Sequence, residues 1–385
     1  MKIAVPKERR DHENRVSLSP EVVKKLSDLG HTITIETGAG LASSMTDKAY
    51  TEAGATIASD YNNTVKTADL IIKVQPPRVS QKDAIDEISP LPEKSCLLGI
   101  LAPYVHRDLF EPYNKKKLTC FSLDMAPRIT RAQSMDVLSS QSNLGGYRAV
   151  VEAVAAFNRA FPMMMTAAGT VPPARVLILG AGVAGLQAIA TAKRLGAIVS
   201  AFDVRESAKE QVESLGASFI SVPSDKDAED SKGYAKEMDE TYKARQSDRI
   251  KEALIAHDVV ITTALIPGLP APLLIKNDMI QNMKPGSIIV DMAVEAGGNC
   301  EASELGKIIE TEEGIQIIGY PNLPSRVPKD ASALYARNIL SFLEVAISEE
   351  SGAINLTSED EIVTSTLLTL KGQTVHENFK EASTK

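Results

Sequence analysis

Apolar residues recur along this chain in short runs separated by amphipathic stretches. In the first part, Lys2–Val5, His31–Glu36, Leu70–Val74, Cys96–Leu101 and Thr119–Leu123 read as strands. Helical segments fall between some of them, for example Asp108–Lys117. Ser19 can cap a helix that Pro20 opens at its first position, and Gly30 is placed to stop it. Strands alternating with helices predict a parallel sheet covered on both faces.

A second alternating series begins near Arg175. Val176–Leu179, Ile198–Phe202, Ser218–Val222, Val259–Ala264, Ser287–Asp291 and Gln316–Ile318 are its strand candidates. Six strands with helical crossovers fit a doubly wound dinucleotide-binding domain. Residues 134–160 and 330–347 read as helices joining the two series, with Tyr335, Ile339, Phe342 and Ala346 on one face of the latter. In the tail, Glu361–Thr364 and Leu367–Leu370 look β-like, and Lys371-Gly372 forms a turn that would add a hairpin to the first domain. The expected fold is α/β, with two Rossmann-like, doubly wound parallel-sheet domains joined by long helices and a cleft between them. The expected boundaries are 1–127 plus 348–385 for the first domain and 128–160 for a polar loop and linker helix. The nucleotide-binding domain would span 161–329, and a second linker helix 330–347. Residues 224–252 break the rhythm with many Asp, Glu, Lys and Ser. They read as a solvated helix or loop, or as a mobile flap hinged at Gly233-Tyr234-Ala235.

Composition narrows the possible functions. The 385 residues are 43% hydrophobic and 24% charged, which excludes a disordered chain. Forty-two basic against fifty acidic residues give −8, and this argues against nucleic acid as the main ligand. Aromatics at 4% and the lack of Trp also remove base-stacking platforms. The three cysteines and five histidines lack metal or disulfide spacing, so no metal is expected. The first residues, Met1 to Glu8, do not form a secretory signal. The most apolar region, residues 163–192, is interrupted by Pro172, Pro173, Arg175 and glycines, and reads as strand–turn–helix rather than a membrane span. The expectation is a soluble cytoplasmic protein without direct membrane insertion.

The clearest chemical motif is Val176-Leu177-Ile178-Leu179-Gly180-Ala181-Gly182-Val183-Ala184-Gly185. It follows an apolar strand and opens an Ala-rich helix, the context a dinucleotide fingerprint requires. Gly180 would allow the tight turn, Gly182 the approach of a pyrophosphate, and Gly185 close helix–strand packing. Free N–H groups at the helix start favour phosphate. Asp203 ends the next strand and can accept from both adenosine ribose hydroxyls, which favours NAD(H) over NADP(H). Arg205 complicates this preference, because an arginine there can welcome a 2′-phosphate.

The segment Pro127 to Asn143 is dense in hydrogen-bonding side chains and suits a polar loop lining a ligand cleft, or a solvated linker with a helix cap. Arg128 to Tyr147 and Phe161 to Arg175 closely resemble the NAD(H)-binding component of proton-translocating NAD(P) transhydrogenases. So do Gly233 to Met238, Thr262 to Gly268, and Val294 to Cys300. The resemblance runs from Met1 to about residue 347 and weakens in the tail. It implies hydride transfer between NADH and NADP⁺, coupled to proton translocation. It also implies a homodimer docked on NADP(H)-binding and membrane-spanning partner subunits, peripheral to the inner membrane. By the same resemblance, Arg128, Asp136 and Ser139 would orient the nicotinamide carboxamide and ribose, and Gln133 would reach toward the NADP(H) on the partner. These four are the expected catalytic residues. The wider set implied to contact NAD(H) adds Ile129, Arg131 and Val137, then Gly180, Gly182, Val183 and Gly185. It is completed by Asp203, Val204, Arg205, Gly233, Tyr234 and Leu265. Tyr234 matches the tip of a mobile loop that closes over nucleotide.

Alanine dehydrogenase is the nearest competing family. Arg15 and Lys73 match its positions for the substrate carboxylate and ketone. However, Ala102 replaces its histidine, and Glu295 replaces its catalytic aspartate. Oxidative deamination needs a general acid/base, which an alanine cannot supply. Arg15 and Lys73 would then be structural remnants paired with carboxylates. A third possibility is a non-enzymatic NAD(H)-binding regulatory module, which would not need the polar segment.

Overall fold

The computed structural model describes residues 1–80, 85–222, 240–266, 268–348 and 350–380. The chain divides into two units, Met1–Gln141 with Ser325–Lys385, and Ser142–Pro324.

The first unit is built on an eight-stranded sheet. Its parallel strands are β1 (Lys2–Val5), β2 (Thr32–Glu36), β3 (Thr56–Ala58), β4 (Leu70–Ile72), β5 (Cys96–Gly99) and β6 (Thr119–Ser122). Their spatial order is β3-β2-β1-β4-β5-β6, with Ile3 opposite both Ile33 and Leu70. Leu367–Leu370 then pairs antiparallel to β6 and forms a hairpin with Gln373–Thr374. The expected hairpin is therefore present, but Glu361–Thr366 is a helix rather than a strand. Asp360 caps it, its side chain accepting from the Ile362 N–H at 2.9 Å, and Ile362, Val363 and Thr366 are buried. A cap and a buried face outweigh the β preference of Ile, Val and Thr.

Helix α1 (Pro20–Asp28) begins where Ser19 and Pro20 predict it, and buries Val22, Val23 and Leu26. The Pro328–Ala346 helix buries Tyr335, Ile339, Phe342 and Ala346 together in the same core, as the spacing predicts. It lies wholly within the first unit.

The second unit carries a seven-stranded sheet. Its strands are β7 (Arg175–Leu179), β8 (Ile198–Phe202), β9 (Ser218–Ile220), β10 (Val259–Thr262), β11 (Ile288–Asp291), β12 (Ile308–Glu310) and β13 (Gln316–Ile318). The order is β9-β8-β7-β10-β11-β13-β12, all parallel except β12, which pairs antiparallel to β13. The edge strand β12 is absent from the six strands that the sequence predicts. The chain steps outward from β7 to β8 and β9, then returns to the other side of β7 at β10. Such a reversal opens a crevice at the strand C-termini, between β7 and β10.

Met164–Thr166 and Gly169–Val171 form a separate two-stranded hairpin where the sequence predicts one strand–turn–helix. Helix α2 (Val137–Ala156) runs through the point at which the two units divide. Helix α3 (Val183–Arg194) follows the glycine turn, and α4 (Glu240–Ala256) occupies the described part of the charge-rich region. Among the described residues, no helix is long and apolar enough to cross a membrane.

Candidate functional site

The glycine turn links β7 to α3 at the crevice. Gly180 has φ +104°, a conformation that disfavours other residues, and a Cβ there would lie 2.6 Å from Thr263 Oγ1. Gly185 is closed in more tightly, since its Cβ would stand 1.9 Å from the Gly180 carbonyl oxygen. Gly182 is different. It precedes α3 with φ −77° and ψ −167°, and a Cβ there would meet nothing within 4 Å. The first amides of α3 therefore face open space, as an anion site at a helix start requires. Val183, the first residue of α3, is exposed.

Asp203 follows β8 directly and is buried. Its Oδ2 accepts the Ala181 N–H at 2.7 Å, which ties the glycine turn to the end of the neighbouring strand. Arg205 folds back on the same carboxylate, with Nε 2.9 Å from Oδ1 and Nη2 2.9 Å from Oδ2. Val204, between them, is half-buried against the core beneath the sheet.

The opposite wall of the crevice follows β10. Thr263 Oγ1 donates to the Gly180 carbonyl at 3.0 Å, and Leu265 is exposed. Asn299 holds this segment, and nothing in the sequence alone singles it out. Fully buried, it accepts the Ala264 N–H at 3.1 Å and donates to the carbonyls of Ala264 and Pro272 at 2.9 and 2.8 Å. Asp291 in turn accepts the backbone N–H groups of Asn299 and Cys300 at 3.0 and 3.1 Å. The glycines, Asp203, Arg205 and Leu265 thus line one end of one sheet. A dinucleotide fits this donor set, with phosphate at α3 and ribose at Asp203.

The Arg128–Ser139 residues lie in the first unit. The segment expected to be an irregular loop is largely ordered, with Thr130–Met135 as a 3-10 helix and α2 starting at Val137. Arg128 and Gln133 are exposed, Ile129 is half-buried against the core, and Val137 is fully buried. Arg131 is ion-paired with Asp360 at 3.1 Å. Asp136 accepts the Ser139 N–H at 2.9 Å and the Ser139 hydroxyl at 2.5 Å. That is a helix cap, so these two side chains already have a structural task. Gly233 and Tyr234 lie outside the described residues.

Arg15 and Lys73 are both buried and both neutralised. Arg15 donates Nη2 and Nε to Glu13 at 2.6 and 2.8 Å, and Nη1 to Gln141 at 2.8 Å. Lys73 lies 3.2 Å from Glu8 and 3.1 Å from Glu87. Burial alone would push the Lys73 pKa down, but the two carboxylates hold it above its ordinary value. Burial is also the main cause that pushes the Glu8 pKa up. The expectation that these cations are paired with carboxylates is met. Ala102 adopts φ +44° and offers no titratable group, and Glu295 accepts the Asn322 N–H at 2.9 Å.

Comparison with known proteins agrees with this arrangement. Residues 4–145 match the family described as "Alanine dehydrogenase/PNT, N-terminal domain", and residues 149–377 its C-terminal domain. The chain is 53% identical to an NAD(P) transhydrogenase subunit alpha protein of Rhodospirillum rubrum over 378 residues, covering 98% of each chain. The structure of a transhydrogenase from Sinorhizobium meliloti superposes with a TM-score of 0.87 at 46% identity, covering 97% of this chain and 100% of that one. An L-alanine dehydrogenase structure gives 0.80 at 25% identity, covering 98% of both. Two parallel-sheet α/β units, a glycine turn in the second, and similarity along nearly the whole length lead to one conclusion: the chain belongs to the alanine dehydrogenase/PNT family.

Proposed function

We propose that this chain is the NAD(H)-binding subunit of a proton-translocating NAD(P) transhydrogenase, an oxidoreductase active only with its partner subunits. The observation that carries the nucleotide-binding half is Gly182, whose open surroundings leave the α3 amides clear beside Asp203. The names of the relatives supply the transhydrogenase half. The neutralised Arg15 and Lys73 weigh against the alanine dehydrogenase alternative, because both cations are already taken by glutamates.

The bound NAD(H) supplies the hydride. Direct transfer to a second nicotinamide needs no protein acid or base, only close and correct placement. The roles of this chain are therefore binding and orientation. Amides at the α3 N-terminus hold the pyrophosphate, and Asp203 holds the adenosine ribose. Arg128, Asp136 and Ser139 orient the nicotinamide end, while Ile129, Arg131, Val137, Val183, Val204 and Leu265 complete the nucleotide contacts. Gln133 is exposed and suited to reach the NADP(H) held by the partner. Gly233 and Tyr234 close over the nucleotide. The chain works as a homodimer, docked through NADP(H)-binding and membrane-spanning subunits on the cytoplasmic face of the inner membrane.

Gln133→Asn tests the assignment of roles. It is expected to leave NADH affinity within about twofold while slowing hydride transfer in the reconstituted complex about tenfold, the effect of one lost hydrogen bond felt in the transition state. Unchanged transfer would remove Gln133 from the reaction.

A further inference from the structure

The Asp203 carboxylate has no acceptor position to spare. A carboxylate offers about four lone-pair positions. The Ala181 N–H takes one on Oδ2 at 2.7 Å, and Arg205 Nη2 takes another at 2.9 Å. The backbone N–H and Nε of Arg205 take two on Oδ1, each at 2.9 Å. The two side-chain bonds fall one on each oxygen. A vicinal diol donates in the same way, one hydroxyl to each oxygen. The edge of the guanidinium therefore occupies the two positions that the 2′- and 3′-hydroxyls of an adenosine ribose would use. When ribose takes them, Arg205 is displaced by no more than the length of its own tether. Its backbone N–H remains two residues from Asp203, so its charge stays beside the 2′ position.

We propose that Arg205 is a latent 2′-phosphate ligand that Asp203 silences, and that this pair sets the preference for NAD(H). The inference rests on the nucleotide-binding reading above. Selectivity then does not come from lacking a phosphate-binding arginine. It comes from a carboxylate that neutralises the one present and would repel a phosphate itself. Removing Asp203 both lifts the repulsion and frees the guanidinium, whose planar fork matches phosphate oxygens. Removing Arg205 as well lifts only the repulsion.

Calorimetric titration of the full chain with NADH and with NADPH tests this, using wild type, Asp203→Ala and the Asp203→Ala/Arg205→Ala double variant. Wild type should bind NADH and discriminate against NADPH. Asp203→Ala should weaken NADH and strengthen NADPH, with NADPH about tenfold tighter than in the double variant, as one charge-assisted hydrogen bond provides. If Asp203→Ala does not fold without its bond to Ala181, Asp203→Asn keeps an acceptor for that N–H and replaces it. Equal NADPH affinity in the single and double variants would overturn the role of Arg205, as would no NADPH gain at all. Failure of the folded wild type to bind NADH would instead overturn the nucleotide-binding reading.

Discussion

Replacing Gly182 by alanine separates folding from binding at the candidate site. Its φ of −77° and ψ of −167° are open to any L residue, and the new methyl would meet nothing within 4 Å. Folding is therefore expected to be unharmed, and the lower entropy of the unfolded chain should add about 0.4–1 kcal/mol of stability. Gly185 provides the contrast. Its Cβ would lie 1.9 Å from the Gly180 oxygen. Restoring an ordinary C···O contact of about 3.3 Å would force α3 and the turn apart by about 1.4 Å. Gly185→Ala should thus lose about 1–3 kcal/mol of stability, the usual cost of overpacking. Binding should respond differently. A methyl at residue 182 stands where the pyrophosphate approaches the α3 amides. Losing two charge-assisted hydrogen bonds at about 1.5 kcal/mol each weakens NADH about a hundredfold. Urea unfolding and NADH titration on the same preparations measure both quantities. A folded Gly182→Ala protein that binds NADH within about threefold of wild type would refute the placement of the pyrophosphate.

Two further outcomes follow from buried charge. Lys73→Met removes the cation between Glu8 and Glu87; urea denaturation should show a loss of about 3–5 kcal/mol, smaller in acid, where the two carboxyls take up protons. Burial holds the His257 imidazole below its ordinary value of 6.5, with its ring nitrogens at 2.6 Å from the Ala253 carbonyl and 3.1 Å from Ser200 Oγ. The unfolded chain therefore binds the proton first, so stability present above pH 6.5 is lost as pH falls toward the folded value. The slope is at most about 1.4 kcal/mol per pH unit, and His257→Gln should remove it from the pH profile of unfolding.

Much of the fold is legible in the sequence because its signals are local. Ser19 and Pro20 start α1, and the spacing of Tyr335, Ile339, Phe342 and Ala346 marks a buried helical face. The glycine turn is legible for the same reason. Errors arise where a cap or distant packing overrides composition. Glu361–Thr366 is rich in β formers, yet Asp360 and a buried face make it helical. Thr130–Met135 carries no apolar period, yet Ala132 and Met135 are buried and fix a 3-10 turn. The pairing of Lys73 with Glu8, far earlier in the chain, has no sequence signal beyond charge. Nor does the fourfold engagement of Asp291 and Asn299 with the segments after β10 and β11. The sequence marks Arg205 as a possible phosphate ligand, but its hold on Asp203 becomes visible only in three dimensions.

The central claim is that this chain presents NAD(H) for direct hydride exchange with a nucleotide on another subunit. Its most direct test is to mix the purified chain with a soluble NADP(H)-binding transhydrogenase component and follow hydride transfer from NADPH to an NAD⁺ analogue. The account predicts rapid transfer in the mixture and none with either protein alone. Tight NADH binding without transfer in the mixture, or NADH-dependent amination of pyruvate by the chain alone, would contradict it.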